Sequence, residues 1–366
     1  MLRRPATLPD PFQQPESGFR TVRLRTSFQP LTPSRRPLTP SFRQRWPWIG
    51  PHLQTLRNTV RPLGLGPDSG QPLALALPGD EHLLVLRETP SAGPPRGLVV
   101  LVHGLGGSAG SGSVRRLARW LRTAGFEVWR LNLRGAGGGR PLAAGTYAAA
   151  CNRDLLPMLA AARRGGAGLP LLGVGLSLGG AALLNAALAE PAALDALVTV
   201  SSPLDLNACT HRIDEPGNRL YQRWLLGNLI RQTLADPFGL AEAERQRLTG
   251  SRRPRSLRAF DAVITAPRWG YSSVEEYYHE ASALRPLLAT RPRLPLLLIQ
   301  AQDDPWVPAT AAQALGRAAL PNVELLLPRY GGHNGFHGLG DSALASWADR
   351  QVAAWLERQV EPAGRV

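Results

Sequence analysis

The segment Gly173-Val-Gly-Leu-Ser177-Leu-Gly179-Gly180 constrains this chain more than any other. It follows an apolar run at 169–172 and precedes the stretch Ala181-Ala-Leu-Leu-Asn-Ala-Ala-Leu-Ala189. That order reads as strand, sharp turn and helix, with a G-x-S-x-G elbow at the turn. Gly175 and Gly179 remove the Cβ atoms that would collide where strand and helix approach each other. The Ser177 hydroxyl then stands above a sheet edge, with a helix N-terminus behind it that favours developing negative charge. Taken alone, the same residues also fit a Gly-Ser loop with no chemistry, so the rest of the chain decides.

The surrounding pattern alternates. Residues 73–77 and 82–86, separated by Pro78-Gly-Asp-Glu81, read as a β-hairpin. Strands are then expected at 97–102, 126–133, 169–175, 194–200, 294–300 and 323–327. Helices are expected near 114–123, 153–164, 179–188, 309–319 and 342–361. Near-continuous apolar strands alternating with helices predict an α/β fold, a mostly parallel sheet covered on both faces. The rhythm breaks over 205–290, which carries aromatic and Arg-rich helical runs between two core strands. This segment is expected to be a helical lid over the strand ends where ligands bind. The predicted organisation is an irregular Arg/Pro-rich extension over 1–45, a first core part over 46–204, the lid over 205–290 and a second core part over 291–366.

Composition excludes several functions. The formal charge is +15, yet all 42 basic residues are Arg and none is Lys. Such a bias reads as coding pressure rather than selection for phosphate contacts, and no nucleic-acid partner is expected. Cys151 and Cys209 form no C-x-x-C pair or metal-type cluster, so neither a disulfide framework nor a metal is expected. No apolar stretch is long enough to span a bilayer, and the N-terminus lacks a secretory apolar region. A cytoplasmic protein follows as the expectation, with peripheral membrane contact as the most it would make of a membrane.

A serine becomes a nucleophile when a base takes its proton and a carboxylate orients that base. Two loops supply candidates: Ala301-Gln-Asp303-Asp304-Pro-Trp-Val307-Pro308 after one late strand, and Tyr330-Gly-Gly-His333-Asn-Gly335 after the next. Asp304, standing before x-x-Val-Pro, is the expected acid, with Asp303 as a cap of the turn or following helix. His333, between glycines that let its loop bend, is the expected base; His337 is the alternative. The backbone amides of Leu105, in His103-Gly-Leu-Gly-Gly107, and of Leu178 are the expected oxyanion donors. His103 is expected to hold its loop. The partial dinucleotide fingerprint Gly104-x-Gly106-x-x-Ala109 lacks the acid that should follow the next strand, where Asn132 stands.

With these residues assembled, the chain resembles the YheT-like branch of the α/β-hydrolases from about residue 45 onward. The resemblance includes Gly50-Pro-His-Leu-Gln54-Thr-Leu56, Asn132-Leu-Arg-Gly135, Phe260-Asp261, Thr265-Ala-Pro-Arg-Trp-Gly270, Tyr277-Tyr278, Asp303-Asp304-Pro305 and Gly331-Gly-His333. It implies the α/β-hydrolase fold and cleavage of carboxylic esters, short-chain or lipid-derived, with Ser177, Asp304 and His333 as the charge relay. No cofactor is implied, and the partner is a small ester or acyl lipid. A thioesterase or acyltransferase on the same three residues, or a non-catalytic binder, remain the alternatives. His52 and Gln54 are expected to form a buried clamp.

Overall fold

The computed structural model describes residues 41–60, 64–251, 253–342 and 344–361. The extension expected over 1–45 therefore lies outside the described residues except for its last five. Eight strands form one sheet: β1 (Gln71–Ala76), β2 (His82–Glu88), β3 (Leu98–Val102), β4 (Glu127–Leu131), β5 (Leu171–Leu176), β6 (Ala196–Val200), β7 (Leu296–Ile299) and β8 (Val323–Leu326). Their spatial order is β1-β2-β4-β3-β5-β6-β7-β8. The hairpin β1–β2 and the β2–β4 pair are antiparallel; every other pair is parallel.

The helices in chain order are α1 (Pro51–Val60), α2 (Gly112–Thr123), α3 (Asn152–Gly165), α4 (Leu178–Ala189), α5 (Leu206–Asp214), α6 (Arg219–Leu234), α7 (Glu242–Thr249) and α8 (Leu257–Phe260). They continue as α9 (Ala266–Arg268), α10 (Val274–Glu280), α11 (Leu284–Thr290), α12 (Thr310–Ala318) and α13 (Trp347–Val360). Strand side chains alternate between two core layers. Leu98, Val100 and Val102 of β3 pack with Leu155 and Leu159 of α3 and Leu183 of α4. Val99 and Leu101 face the other way, toward Leu117 and Leu121 of α2 and Val352 and Trp355 of α13. Burial on both faces is why β3, β5, β6 and β7 read as near-continuous apolar runs.

The sequence order reverses at β3, which has β4 on one side and β5 on the other. Crevices open at such switch points because the loops leave in opposite directions. Val102 at the end of β3 stands beside Gly175 near the end of β5. The Gly-rich loop and the Ser177 elbow therefore emerge side by side.

Two elements differ from expectation. The last helix begins at Trp347 rather than near 342, because Ser346 caps it: its side chain accepts from the Asp349 amide, while Asp349 accepts from the Ser346 amide. Helix α1 carries no strong hydrophobic period and is started by Pro51 at its first position, after Gly50 at φ +84°.

Part of the arginine excess is internal. Arg130, fully buried in β4, bonds Glu88 at 2.7 Å and also pairs with Asp68. Arg134 grips Asp154 with two bonds of 2.8 and 2.7 Å and reaches Glu81. Arg116 forks onto Asp349, tying α2 to α13. The planar guanidinium suits such two-pronged carboxylate contacts.

Candidate active site

Ser177 sits between β5 and α4 with φ +52° and ψ −124°, a conformation that costs a non-glycine residue energy. The strain persists because the flanks are fixed: its amide donates to the Val200 carbonyl at 2.8 Å, and a Cβ on Gly175 would run into the Gly180 backbone. The hydroxyl is thereby held toward a cavity. His333 Nε2 lies 3.0 Å from Ser177 Oγ, and His333 Nδ1 lies 2.9 Å from Asp304 Oδ2. An ionised carboxylate only accepts, so Nδ1 carries the hydrogen and Nε2 presents its lone pair to the serine. Asp304 is held in turn by the amides of Trp306 and Val307 at 2.8 and 3.0 Å and by Gln300 Nε2 at 3.2 Å. The indole of Trp306 lies over the imidazole of His333, with centroids 4.4 Å apart. The structure thus brings Ser177, Asp304 and His333 into one hydrogen-bonded line, from three loops at one sheet edge.

Leu178 is the first residue of α4, so its amide has no intrahelical acceptor. The Leu105 amide belongs to the adjoining loop, and both leucines line the cavity with Ser177. Gly104 is needed here because a Cβ on it would stand 2.9 Å from that of Ser177. Two groups set the loop. His103, fully buried, points Nδ1 at the Gly104 carbonyl at 2.8 Å and accepts from the Leu133 amide at Nε2. Tyr147, absent from the sequence reading, accepts from the Gly106 amide at 2.7 Å. The glycine-rich turn Gly135-Ala-Gly-Gly-Gly139 is a packing device, with Gly137 against Asn132 and Ser108.

Burial holds His103 neutral, its pKa pushed down to about 4, and His337 likewise, down to about 2, with Arg116, Arg57 and Arg45 adding to the effect. Unfolded, both would titrate near 6.5. Between that value and about 4 the unfolded chain binds protons the folded chain refuses, so stability is complete above pH 6.5 and is lost on acidification. Asp261, with its carboxyl pushed up to about 6 by burial, opposes this, as do Asp303 and Asp341, whose carboxyls burial also pushes up. A net loss on the order of 1 kcal/mol between pH 7 and pH 5 is expected. Urea midpoints at the two pH values measure it; identical midpoints would contradict it.

The base-bearing loop leans on α1. Thr55 Oγ1 accepts from the His333 amide at 2.9 Å and donates to the Pro51 carbonyl. Gln54, fully buried, donates to the carbonyls of Trp48 and His337 and accepts from the His337 amide at 2.7 Å. Gln54 is a clamp as expected, whereas His52 is not buried: it is exposed and stacks on Tyr221 of α6. Asp303 caps neither its own turn nor α12, whose N-cap is Ala309 with no side-chain hydrogen bond; it accepts from the Gly332 amide at 2.9 Å. His337 is buried away from the cavity, its backbone spent on Gln54. Thr55→Val keeps the shape but strands the His333 amide, so a loss of about 1–3 kcal/mol in stability is expected, with a lower kcat. Thermal melts and turnover at saturating substrate check this, and an unchanged kcat would show that α1 does not position the base.

The cavity in front of Ser177 measures about 290 Å³ and is mostly apolar. Core loops give it Leu105, Leu178 and Trp306; the segment between β6 and β7 gives it Ile213, Leu225 and Phe260. Among the described residues, no group of three His, Cys, Asp or Glu side chains is arranged to hold a metal ion. None of their helices is long and apolar enough to cross a membrane.

Comparison with known proteins agrees with this geometry. The serine aminopeptidase S33 family matches residues 93–337. YheT of Escherichia coli is 33% identical over 271 residues, covering 72% of this chain and 78% of that protein. Phospholipase ABHD3 of Mus musculus is 28% identical over 243 residues, covering 66% of this chain and 58% of that protein. Monoacylglycerol lipase of Saccharomyces cerevisiae is 26% identical over 221 residues, 57% and 48% of the two chains. The chain thus spans about half the length of the two latter relatives. Among solved structures, a soluble variant of the yeast monoglyceride lipase bound to a substrate analogue superposes with a TM-score of 0.53 at 17% identity, covering 82% of this chain and 99% of that one. The Pyrococcus furiosus esterase Pf2001 also gives 0.53, at 16% identity, with 82% and 94% covered. These two share the α/β-hydrolase fold with it. The chain belongs to the serine aminopeptidase S33 family of the α/β-hydrolases, in its YheT-like branch.

Proposed function

We propose that this protein is a serine hydrolase of carboxylic esters, working through an acyl-enzyme on Ser177. The observation that carries the reading is the unbroken hydrogen-bonded line from Asp304 through His333 to a strained serine facing an apolar cavity. His333 Nε2 takes the Ser177 proton as Oγ attacks the ester carbonyl. The oxyanion forms beside the amides of Leu105 and Leu178, and Asp304 keeps the imidazole in the reactive tautomer and stabilises its charged form. His333 then gives the proton to the departing alcohol. Water, deprotonated by the same nitrogen, attacks the acyl carbonyl and releases the acid and the free serine. This chemistry calls for no cofactor. Relatives named for phospholipase and monoacylglycerol lipase activity support acyl lipids as one source of substrate.

The helices between β6 and β7 act as the lid, since they wall the cavity opposite the elbow. The buried Cys151 and the half-buried Cys209 are both free thiols, which suits a reducing cytoplasm. The substrate is a small molecule rather than nucleic acid, in keeping with arginines spent on internal carboxylates. Turnover of p-nitrophenyl esters of increasing acyl length, beside a matched thioester, tests the reading. Saturable ester hydrolysis with a preferred chain length is expected. Turnover of the thioester alone would turn the reading to thioester chemistry on the same residues, and no turnover of either would overturn it.

A further inference from the structure

The cavity wall contains one carboxyl that the proposed mechanism does not use. Asp261 opens a π-type turn, Asp261–Thr265, between α8 and α9, and lines the cavity. Insertions of this kind in helices recur at functional sites, because the extra residue re-aims a side chain. Asp261 Oδ1 accepts from the Thr265 hydroxyl at 2.6 Å, and Oδ2 accepts from the Tyr278 hydroxyl at 2.8 Å. Each oxygen keeps a second lone pair. No cation pairs with the carboxyl among the described residues. Burial pushes its pKa up to about 6, with only those two hydroxyls acting the other way. An unpaired carboxyl costs stability in a mostly apolar cavity, since a group of that kind is satisfied in water and only half satisfied here. The fold nonetheless aims two hydroxyls at it rather than filling the position with a leucine.

Charge narrows what the site can take. A phosphate or free carboxylate would be repelled by Asp261. A cation would have to shed its hydration in a mostly apolar cavity for a single carboxylate partner, since Arg258, over the Tyr278 ring, is already paired with Glu275. What remains is an uncharged hydrogen-bond donor. Resting on the ester-hydrolase reading, we infer that Asp261, braced by Tyr278 and Thr265, is a specificity subsite that binds a free hydroxyl of the ester substrate. The hydroxyl can come from the alcohol side, as in a partial ester of a polyol, or from the acyl side, as in a hydroxy acid. Either way the substrate is held at two points, its carbonyl at the elbow and its hydroxyl on the helical insertion.

Three esters of equal acyl length separate the cases: 1-octanoylglycerol, ethyl 3-hydroxyoctanoate and ethyl octanoate. The wild-type protein is expected to show kcat/KM at least about 10-fold higher for one hydroxylated ester than for ethyl octanoate. The one preferred identifies the source of the hydroxyl. In Asp261→Leu that preference should collapse toward unity; Asp261→Asn, which keeps shape and hydrogen bonding to the turn, should lower it in the same direction. The ratio between substrates is the readout, and the rate of Ser177 labelling by a small fluorophosphonate shows that each variant is folded. A wild-type protein that hydrolyses all three alike overturns the subsite and leaves the hydrolase reading intact. Variants that lose activity equally on all three also overturn the subsite. Turnover of none, with Ser177 unlabelled, overturns both readings.

Discussion

Ser177→Ala is expected to lower kcat on any ester substrate by about 10⁴-fold or more, with little change in folding stability. The serine oxygen is the atom that becomes acylated, and no neighbouring group in the cavity is placed to substitute for it. Removing it also relieves no contact: the alanine keeps the Cβ that packs beside Gly104. The residual rate should be that of a cavity with intact amide donors acting on bound water. His333→Ala should cost about as much, and the double variant no more than either single one, because the two side chains act as one unit. Steady-state kinetics on one p-nitrophenyl ester decide this. Additive losses would mean that the two residues act independently, contrary to the 3.0 Å contact between them.

Gly179→Ala is the largest expected effect on stability. Gly179 follows Leu178 in the first turn of α4, where the helix passes against the end of β3. An added methyl would meet the Val102 carbonyl oxygen at 2.5 Å and crowd the His103 carbonyl as well. Both obstacles are backbone, so nothing can swing aside; the helix must move away from the strand that carries the oxyanion loop. A loss of about 3 kcal/mol is expected, together with a drop in kcat from misplaced amides. The contrasting change Gly106→Ala meets no atom within 4 Å, although its φ of +70° makes an alanine there strained. Unfolding in urea for the two variants separates collision from backbone strain. An unshifted midpoint for Gly179→Ala would show that the elbow is looser than its geometry implies.

The parts of the site legible in the sequence are those whose chemistry is written locally. Ser177 is framed by glycines that its own turn requires, and His333 lies between glycines that let its loop bend. Asp304 stands three residues before Val307, whose amide, with that of Trp306, returns to hold its carboxylate. The central strands β3, β5, β6 and β7 are legible because burial on both faces leaves no polar alternation to confuse them with surface. What stayed hidden depends on contacts across long stretches of chain. Thr55 touches the His333 backbone from 278 positions away, and Tyr147 closes its loop from 41. No spacing rule announces such pairs. Gln54 is legible as a clamp and its neighbour His52 is not, because two residues are about half a turn of helix, which separates core from surface, and α1 has too weak a period to show which side faces in. Sequence points Asp303 to a cap of its turn or the following helix because such residues usually bond nearby amides. The histidine loop comes closer in space than the next helix does in sequence, and takes that carboxylate instead.

Mass spectrometry of the protein after exposure to a fluorophosphonate reads out the nucleophile itself. A single adduct is expected, on the peptide carrying residue 177, formed rapidly at neutral pH. It should be absent from Ser177→Ala and slowed by orders of magnitude in His333→Ala. A folded protein that takes up no adduct, or takes it on another serine, would rule out Ser177 as the nucleophile.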